Sequence, residues 1–383
     1  MHICLISKQF NPTGGGSERY AYEIASALGQ RGHQVEVFAL GNRNSLLESK
    51  LPENVSITFV GTRRRYLVTF ETIYYSLLTR YNVNFERFDV IHGTLMPASP
   101  IALAIRLPST PLVVTSHGTS LGEVRSHKLE VPTDYLKKLA FHPMNVVMDM
   151  ATIPRASRVI GISSDSCREL EQYYPVDSST LSCVPHGINA ERFHPNHPKH
   201  PAVDSDRLTL LHVGRLVSRK HVDLAIDALG ELNRTNVEFL IAGSGTHRER
   251  LEERVNQLGM ADQVSFLGYV SEAELPSLYA SSDVFLFLSR YEGFGLTFLE
   301  SMACGTPVIG TSVGGFPDMV TDGKEGFLVE HTSRDVARAI ERLSDTPEQT
   351  EIMGKQARRL AESRTWDIVA EETEEVYYKT INQ

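Results

Sequence analysis

The chain predicts an α/β fold built from two doubly wound, Rossmann-like units, and three observations carry that reading. The first residues run strand, glycine-rich loop, helix, strand: His2–Ser7, then KQFNPTGGGSER, then Ser17–Arg31, then Gln34–Leu40. The same succession restarts at Leu208–Val213. Between the two lies Asn196–Asp206, rich in Pro, His and Asp, with the composition of a linker. A length of 383 residues leaves room for two or three domains.

Composition excludes several classes. No apolar run approaches the roughly eighteen residues of a membrane span. The N-terminal MHICLISKQF reads as a buried strand without a basic head or cleavage site, so no secretion signal is expected. Cys4, Cys167, Cys183 and Cys304 lack metal-ligand spacing and read as reduced thiols of a cytoplasmic protein. Up to Pro185 the chain carries 18 Lys and Arg against 16 Asp and Glu; beyond it, 20 against 31. An acidic second half disfavours nucleic acid, whereas the first half tolerates an anionic surface.

In the first half, the helix after the glycines places Tyr20, Ile24, Ala27 and Leu28 on one face. A nicotinamide cofactor is not expected. Gly14, Gly15 and Gly16 are consecutive, Arg19 stands where the last glycine of G-x-G-x-x-G would fall, and Leu40-Gly41-Asn42 supplies no acid for a ribose. Asn54–Val60 is a third strand. Arg63, Arg64 and Arg65 then lead a helix with Leu67, Phe70, Tyr74, Leu77 and Leu78 at helical spacing. Two readings stay open there: a core-packed helix with a solvated basic start, or a basic-aromatic element touching anionic lipid at the inner face of a membrane. Asp89–His92 and Leu112–Ser116 are buried strands, and His117 falls at the carboxyl end of the second, where parallel sheets face ligands. Leu121–Pro132 reads as a polar loop with Arg125 and Lys128. Thr133 then caps a long helix whose inner face holds Leu136, Leu139, Ala140, Met144, Val147 and Met148, kinked at Pro143. Arg158–Ile162, a helix over Ser163–Tyr173 and a strand at Leu181–Val184 complete the half.

In the second half, Leu208–Val213 leads into Gly214-Arg215-Leu216 and Arg219-Lys220. Glu238–Ala242 ends in Gly243-Ser244-Gly245, and Val264–Phe266 is followed by Gly268-Tyr269-Val270. Asp283–Leu288 is a strand, and after it Glu292 and Glu300 stand eight positions apart around Gly293-Phe294-Gly295. A helix from Leu296 puts bare N–H groups of Gly295, Leu296 and Thr297 at its positive end, which suits an anion. Arg215 and Lys220 add cations beside that anion. A carboxylate on either side accepts hydrogen bonds from hydroxyls, so a diphosphate with a hydroxyl-rich ring at each end fits. Gly326–Val329 is the final strand. The chain is helical from Arg334, and Trp366, Val369, Val376 and Tyr377 mark an amphipathic last helix.

The string EGFGLTFLESMACGTPVIGTSVGG resembles the E-x(7)-E signature of retaining glycosyltransferases of the GT-B fold, family four. The resemblance runs from Ile3 to about Tyr378 and is strongest from His212 to Val329. It implies two Rossmann-like domains facing a cleft: an acceptor domain over 1–195, a nucleotide-sugar domain over 205–365, and a helix over 366–383 that crosses back to the first. It implies transfer of a hexosyl group from a UDP- or GDP-sugar to a glycan or lipid-linked acceptor, with no metal and no other cofactor. Gly15 and Gly16 match the segment that closes on the donor phosphates and the acceptor, and His117 the histidine that contacts the donor sugar and its phosphate. Arg215 and Lys220 match the cations on the diphosphate, Glu292 the sugar ligand and Glu300 the ribose ligand. Gly214, Gly243, Val270, Gly293, Phe294, Gly295, Leu296 and Thr297 match donor-binding positions. The chain departs from the family at His221, where a glycine is usual, and at His186, where Asn is common. The alternative on the same fold is a non-hydrolysing UDP-sugar epimerase. A catalytically silent binding module is disfavoured, because no expected charged position is missing.

Overall fold

The structure, a computed structural model, describes residues 1–42, 45–62, 68–94, 109–126, 142–204, 206–232 and 234–382. Its strands are β1 (His2–Ile6), β2 (Gln34–Leu40), β3 (Val55–Gly61), β4 (Val90–Gly93), β5 (Leu112–Ser116), β6 (Arg158–Gly161), β7 (Leu181–Cys183), β8 (Leu208–Val213), β9 (Val237–Ala242), β10 (Val264–Gly268), β11 (Val284–Phe287), β12 (Val308–Thr311) and β13 (Gly326–Val329). The helices of the first half are α1 (Gly16–Gln30), α2 (Ser45–Glu48), α3 (Val68–Asn82), α4 (Ser120–Ser126), α5 (His142–Thr152) and α6 (Ser164–Tyr173). Those of the second are α7 (Val222–Leu232), α8 (Arg248–Gln257), α9 (Leu275–Ser281), α10 (Leu296–Ala303), α11 (Phe316–Met319), α12 (Ser333–Asp345) and α13 (Pro347–Glu362), and α14 (Trp366–Ile381) closes the chain. They divide into two compact units, with the change of unit between Gly187 and Ile188 and α14 belonging to the first.

The first unit is a seven-stranded parallel sheet in the order β3-β2-β1-β4-β5-β6-β7. Its central strands are buried along nearly their whole length, as expected of a sheet with helices on both faces. On α1, Tyr20, Ile24, Ala27 and Leu28 are buried, the face the spacing predicts. On α3 the inward face is rotated from the expected one. Tyr75 is buried and its hydroxyl donates to the Phe38 carbonyl at 2.6 Å, while Leu77 is exposed and Tyr74 only partly buried. The hydroxyl shares the Phe38 carbonyl with the Ser7 N–H and so holds this tyrosine, rather than its neighbour, in the core. A helix, α4, replaces part of the expected loop after Gly118. Thr119 starts it by accepting the Gly122 N–H at 2.9 Å, a side-chain N-cap. On α5 the inner face is Met148, Asp149 and Thr152, whereas Met144 and Val147 are exposed. Asp149 turns the helix inward by accepting the Ser120 N–H and the Tyr174 hydroxyl. Pro143 lies on α5 one residue after the described part of that helix begins, so the kink expected there falls at the edge of the described residues. Arg63, Arg64, Arg65, Leu67, Lys128, Thr133, Leu136, Leu139 and Ala140 lie outside the described residues.

The last helix buries Trp366, Val369, Val376 and Tyr377. Its Glu374 accepts from Arg31 Nε at 2.9 Å and meets His33 Nε2 at 3.0 Å, joining α14 to the end of α1.

The second unit is a six-stranded parallel sheet in the order β10-β9-β8-β11-β12-β13. Leu210, Phe239, Ile241, Leu286 and Ile309 from the strands form one core with Ile226 and Leu229 of α7 and Val336 and Ile340 of α12. Two sequence expectations are corrected here. Residues 188–195 belong to this unit and not to the first: Ile188 bridges Thr365, Phe193 packs on Tyr279, and the Arg358 guanidinium donates to the Ala190 carbonyl at 3.2 Å. The stretch read as a linker is also tied down, since Ser277 donates to the Pro198 carbonyl at 2.6 Å and Asp204 N–H donates to Glu238 at 3.0 Å. The Pro and Asp residues there end regular structure without freeing the chain.

Helix α13 lies close against the turn after α10. A Cβ on Gly354 would stand 2.1 Å from the Gly305 carbonyl oxygen. Gly354→Ala should therefore destabilise the protein, because overpacking costs about 1–3 kcal/mol against about 1 kcal/mol gained in helix propensity. Urea unfolding of the two proteins measures the difference.

Candidate active site

In the second unit the strand order reverses at β8, whose neighbours are β9 and β11. The carboxyl ends of β8 and β11 therefore flank the switch point, where doubly wound sheets bind ligands. The loops beyond β8 and β9 are zipped by their backbones: Gly214 N–H donates to Ala242 at 2.9 Å, and Leu216 N–H donates to Ser244 at 3.0 Å. Gly243 has φ +139°, and a Cβ there would stand 1.8 Å from the Gly214 carbonyl oxygen. Only glycine permits that approach. A single turn over Ser218–Lys220 follows and ends at His221 in the left-handed region, φ 53°. Among the described residues no other non-glycine has a positive φ.

That turn delivers two cations to one carboxylate. Lys220 Nζ lies 2.6 Å from Glu292 Oε2, and Arg219 Nη1 lies 2.9 Å from the same oxygen. Arg219 also donates to the Tyr291 carbonyl at 3.1 Å. All three side chains are largely buried. Burial pushes the Glu292 pKa up, but the charges of Arg219 and Lys220 outweigh it and hold the group at about 2. Burial pulls the Lys220 ammonium below its ordinary value, with Glu292 opposing and the charges of Arg219 and Arg215 reinforcing the shift. Behind Lys220, burial and the lysine charge bring His212 down to about 3, so it is a neutral imidazole.

The loop beyond Glu292 is shaped by rings. Phe287, Phe298 and Phe316 pack with centroids 5.2–5.5 Å apart, and Phe294 packs on Phe298 at 5.4 Å. Gly295, at φ +105°, crosses this cluster; a Cβ there would stand 2.5 Å from the Phe287 ring. The Phe294 side chain is buried and its carbonyl accepts the Gly315 N–H at 3.0 Å, so it shapes the loop from below. Gly295 is the N-cap of α10, and no side chain caps that end. The start of α10 at Gly295-Leu296-Thr297 is thus an uncapped positive helix end within a few residues of the Glu292 cluster. One turn into the helix, Glu300 is buried and accepts the Tyr279 hydroxyl at 2.8 Å. Two residues beyond β10 stands Val270, half-buried, and the Gly268 carbonyl accepts the Gly243 N–H at 2.6 Å.

In the first unit, His117 follows β5, and both of its ring nitrogens are buried without a hydrogen-bond partner. Burial lowers its pKa to about 4, only partly opposed by the Thr94 backbone, so the ring is neutral near pH 7. Its neighbours are rings: Tyr20 edge-on at 4.7 Å and His186 at 5.3 Å. Gly15 and Gly16 start α1, which also lacks a side-chain cap.

The second unit thus brings Gly214, Gly243, Lys220, Glu292, Gly293, Phe294, Gly295, Leu296, Thr297 and Glu300 to the carboxyl ends of its strands, while His117, Gly15 and Gly16 belong to the first unit. Arg215 is exposed, and the arginine that touches Glu292 is Arg219, which the sequence reading passed over. Its adjacency to Lys220 in a single tight turn was the available signal. Tyr279 had none, since it stands 21 residues from Glu300 in a run that reads as core. Among the described residues no group of three or more His, Cys, Asp and Glu side chains is placed to hold a metal ion.

Comparison with known proteins agrees with this architecture. Residues 194–360 match the family described as glycosyl transferases group 1, and residues 14–192 match glycosyltransferase family 4. The chain belongs to this family of glycosyltransferases and has its GT-B fold. The D-inositol 3-phosphate glycosyltransferase of Geodermatophilus obscurus is 29% identical, over 92% of this chain and 82% of its own length. Among solved structures, sucrose-phosphate synthase from Thermosynechococcus elongatus superposes with a TM-score of 0.81 at 22% identity, covering 99% of this chain and 98% of that one. HepE from Anabaena, in complex with UDP and glucose, gives 0.75 at 20% identity, covering 98% of both chains.

The buried cluster sets a stability prediction. Glu292→Ala leaves two cations without their carboxylate, and breaking a buried pair in this way costs about 3–5 kcal/mol. Because the folded-state pKa of Glu292 is depressed from 4.5 to about 2, the wild-type advantage is complete above pH 4.5 and is lost as the pH falls toward 2. Urea unfolding of both proteins across that range reads the difference.

Proposed function

We propose that this glycosyltransferase is a retaining enzyme that moves a hexosyl group from a UDP- or GDP-sugar to a glycan or lipid-linked acceptor in the synthesis of cell-surface polysaccharide or glycolipid. The observation that carries the donor assignment is the Arg219–Lys220–Glu292 cluster beside the uncapped start of α10, at the switch point of the second sheet. Cations and helix amides at one place suit a diphosphate, and Glu292 and Glu300 suit the hydroxyl-rich rings on either side of it. The UDP and glucose bound by HepE support the same donor chemistry. The less acidic first half of the chain suits an acceptor at an anionic surface in the cytoplasm.

In this reaction the bond between the anomeric carbon and the diphosphate oxygen breaks, and the nucleoside diphosphate leaves. Lys220, Arg219 and Arg215, with the amides of Gly295, Leu296 and Thr297, stabilise the charge that develops on it. The acceptor hydroxyl attacks from the face the leaving group vacates, so configuration is retained. Its proton passes to a phosphate oxygen. Glu292 stays ionised and orients sugar hydroxyls. Glu300 holds the ribose, Gly214, Gly243 and Val270 frame the base, and the neutral His117 hydrogen-bonds the donor. Side-chain cations take the place of a metal, and no further cofactor takes part.

Incubating purified protein with UDP- and GDP-sugars, with and without lipid extracts, should release a nucleoside diphosphate only when the acceptor is present. Conversion of the donor sugar without an acceptor would overturn the transferase assignment. Lys220→Ala should lower turnover by about two to three orders of magnitude, the scale for removing one preorganised charge-stabilising group. Wild-type turnover should persist in EDTA; loss restored by magnesium or manganese would contradict metal-independent transfer. Glu300→Ala should weaken binding of the free nucleoside diphosphate by about 1.5–3 kcal/mol, as expected for lost charge-assisted hydrogen bonds, and calorimetry measures it.

A further inference from the structure

His117 is half-buried, but both of its ring nitrogens are shut from water and neither makes a hydrogen bond of ordinary geometry, with only a weak pull from the Thr94 backbone. What surrounds it is a cage of rings. Tyr20 of α1 meets it edge-on, with centroids 4.7 Å apart and planes at 72°. Tyr20 also stacks on His186 at 5.0 Å and lies edge-on to Trp366 of α14 at 6.0 Å. It has no exposed surface, so its own position is determined by what it touches.

Those contacts form a continuous relay from the C-terminal helix. The Tyr377 hydroxyl lies 2.6 Å from His92 Nδ1, and His92 Nε2 lies 2.7 Å from Thr115 Oγ1. Thr115 Oγ1 is in turn 3.3 Å from the Tyr20 hydroxyl. Burial, with the charge of His117, lowers His92 to about 3, so its neutral ring has one donor and one acceptor and links the two hydroxyls. Burial likewise raises the Tyr20 phenol to about 12 despite the hydroxyls of Thr115 and Thr373 beside it. Every member stays un-ionised near neutral pH, so the relay holds geometry and carries no charge.

We propose that Tyr20 is a positioning residue for His117: its ring sets the direction in which the unpartnered imidazole faces the donor, and the Thr115–His92–Tyr377 relay fixes that ring from α14. The inference rests on the reading that His117 meets the donor. It assigns α14 a part in the chemistry besides closing the fold. It also gives the departure at His186 a role, because the stacked imidazole is the opposite wall of the slot that holds Tyr20.

The test uses the full chain with Tyr20→Leu, Tyr20→Phe, Tyr377→Phe and His117→Ala. Tyr20→Leu removes the ring and should lower kcat by about 10- to 100-fold, the scale of a small misplacement of a reacting contact. Affinity for the free nucleoside diphosphate, which lacks the transferred hexosyl group, should change far less than kcat. Tyr20→Phe keeps the ring and should keep most of the activity. Imidazole NMR signals of His117, assigned by their loss in His117→Ala, should shift or broaden most in Tyr20→Leu and less in Tyr20→Phe, which keeps the ring but cuts it from the Thr115 hydroxyl. Wild-type kcat in Tyr20→Leu, a parallel loss of nucleoside diphosphate affinity, or unmoved His117 signals would overturn the proposal. If Tyr20→Leu does not fold, Tyr377→Phe decides: it breaks the relay at its far end without changing shape, and unmoved His117 signals in it overturn the proposal. Unchanged activity of His117→Ala would instead refute the donor role of His117 and leave the positioning claim to the ring signals.

Discussion

A carboxylate held between two buried cations governs the second unit. Glu292 stands after β11, and Lys220 and Arg219 stand after β8, two strands that are neighbours in the sheet though far apart in the chain. Taking three charges out of water is costly, and the cost is offset only when the geometry is good. Much of the local sequence serves that geometry. The left-handed His221 ends the turn that carries the cations. Gly243 lets the loop after β9 lie against the loop after β8. Gly295 and the phenylalanines beneath it bring the start of α10 up to Glu292. The ion cluster and the helix end together bring cations and bare amides to one place, the arrangement that the proposed diphosphate site requires.

The first unit gathers neutral groups instead. His117, His92 and Tyr20 are packed among one another, and burial keeps each un-ionised. Such a cluster is insensitive to pH near neutrality and depends on packing for its precision. Part of that packing comes from α14, which follows the whole second unit in sequence yet buries Trp366 and Tyr377 against α1 and β4. The first unit is therefore complete only after the last helix has returned to it.

Much of this was legible in the residues. Strand-length apolar runs placed the strands to within a residue or two, because fully buried parallel strands tolerate little else. The start of α10 at Leu296 followed from Gly293-Phe294-Gly295, and the buried face of α1 from its period. Faces were less legible where polar residues share the core. On α3 the hydroxyl of Tyr75, and on α5 the carboxylate of Asp149, turned the helices by bonding to atoms distant in sequence. The residues after Gly187 read as the end of one domain and proved to belong to the next, because their partners Thr365, Tyr279 and Arg358 lie more than eighty residues away in the chain.

By itself, then, the sequence determined the α/β class, the doubling of the wound unit, the acidic second half, and the glycine-and-glutamate loop that leads into α10. Each of these is local: composition, period, or the backbone freedom of a glycine at a turn. Tertiary structure alone decided that Arg219, rather than the exposed Arg215, closes on Glu292, and that Tyr279 meets Glu300. It alone decided that Tyr20, His92, Thr115 and Tyr377 form one relay behind His117. Those pairings join side chains brought together by strand order and by the return of α14. Spacing along the chain carries no trace of them, since each depends on which strands lie side by side and which way a packed helix is turned.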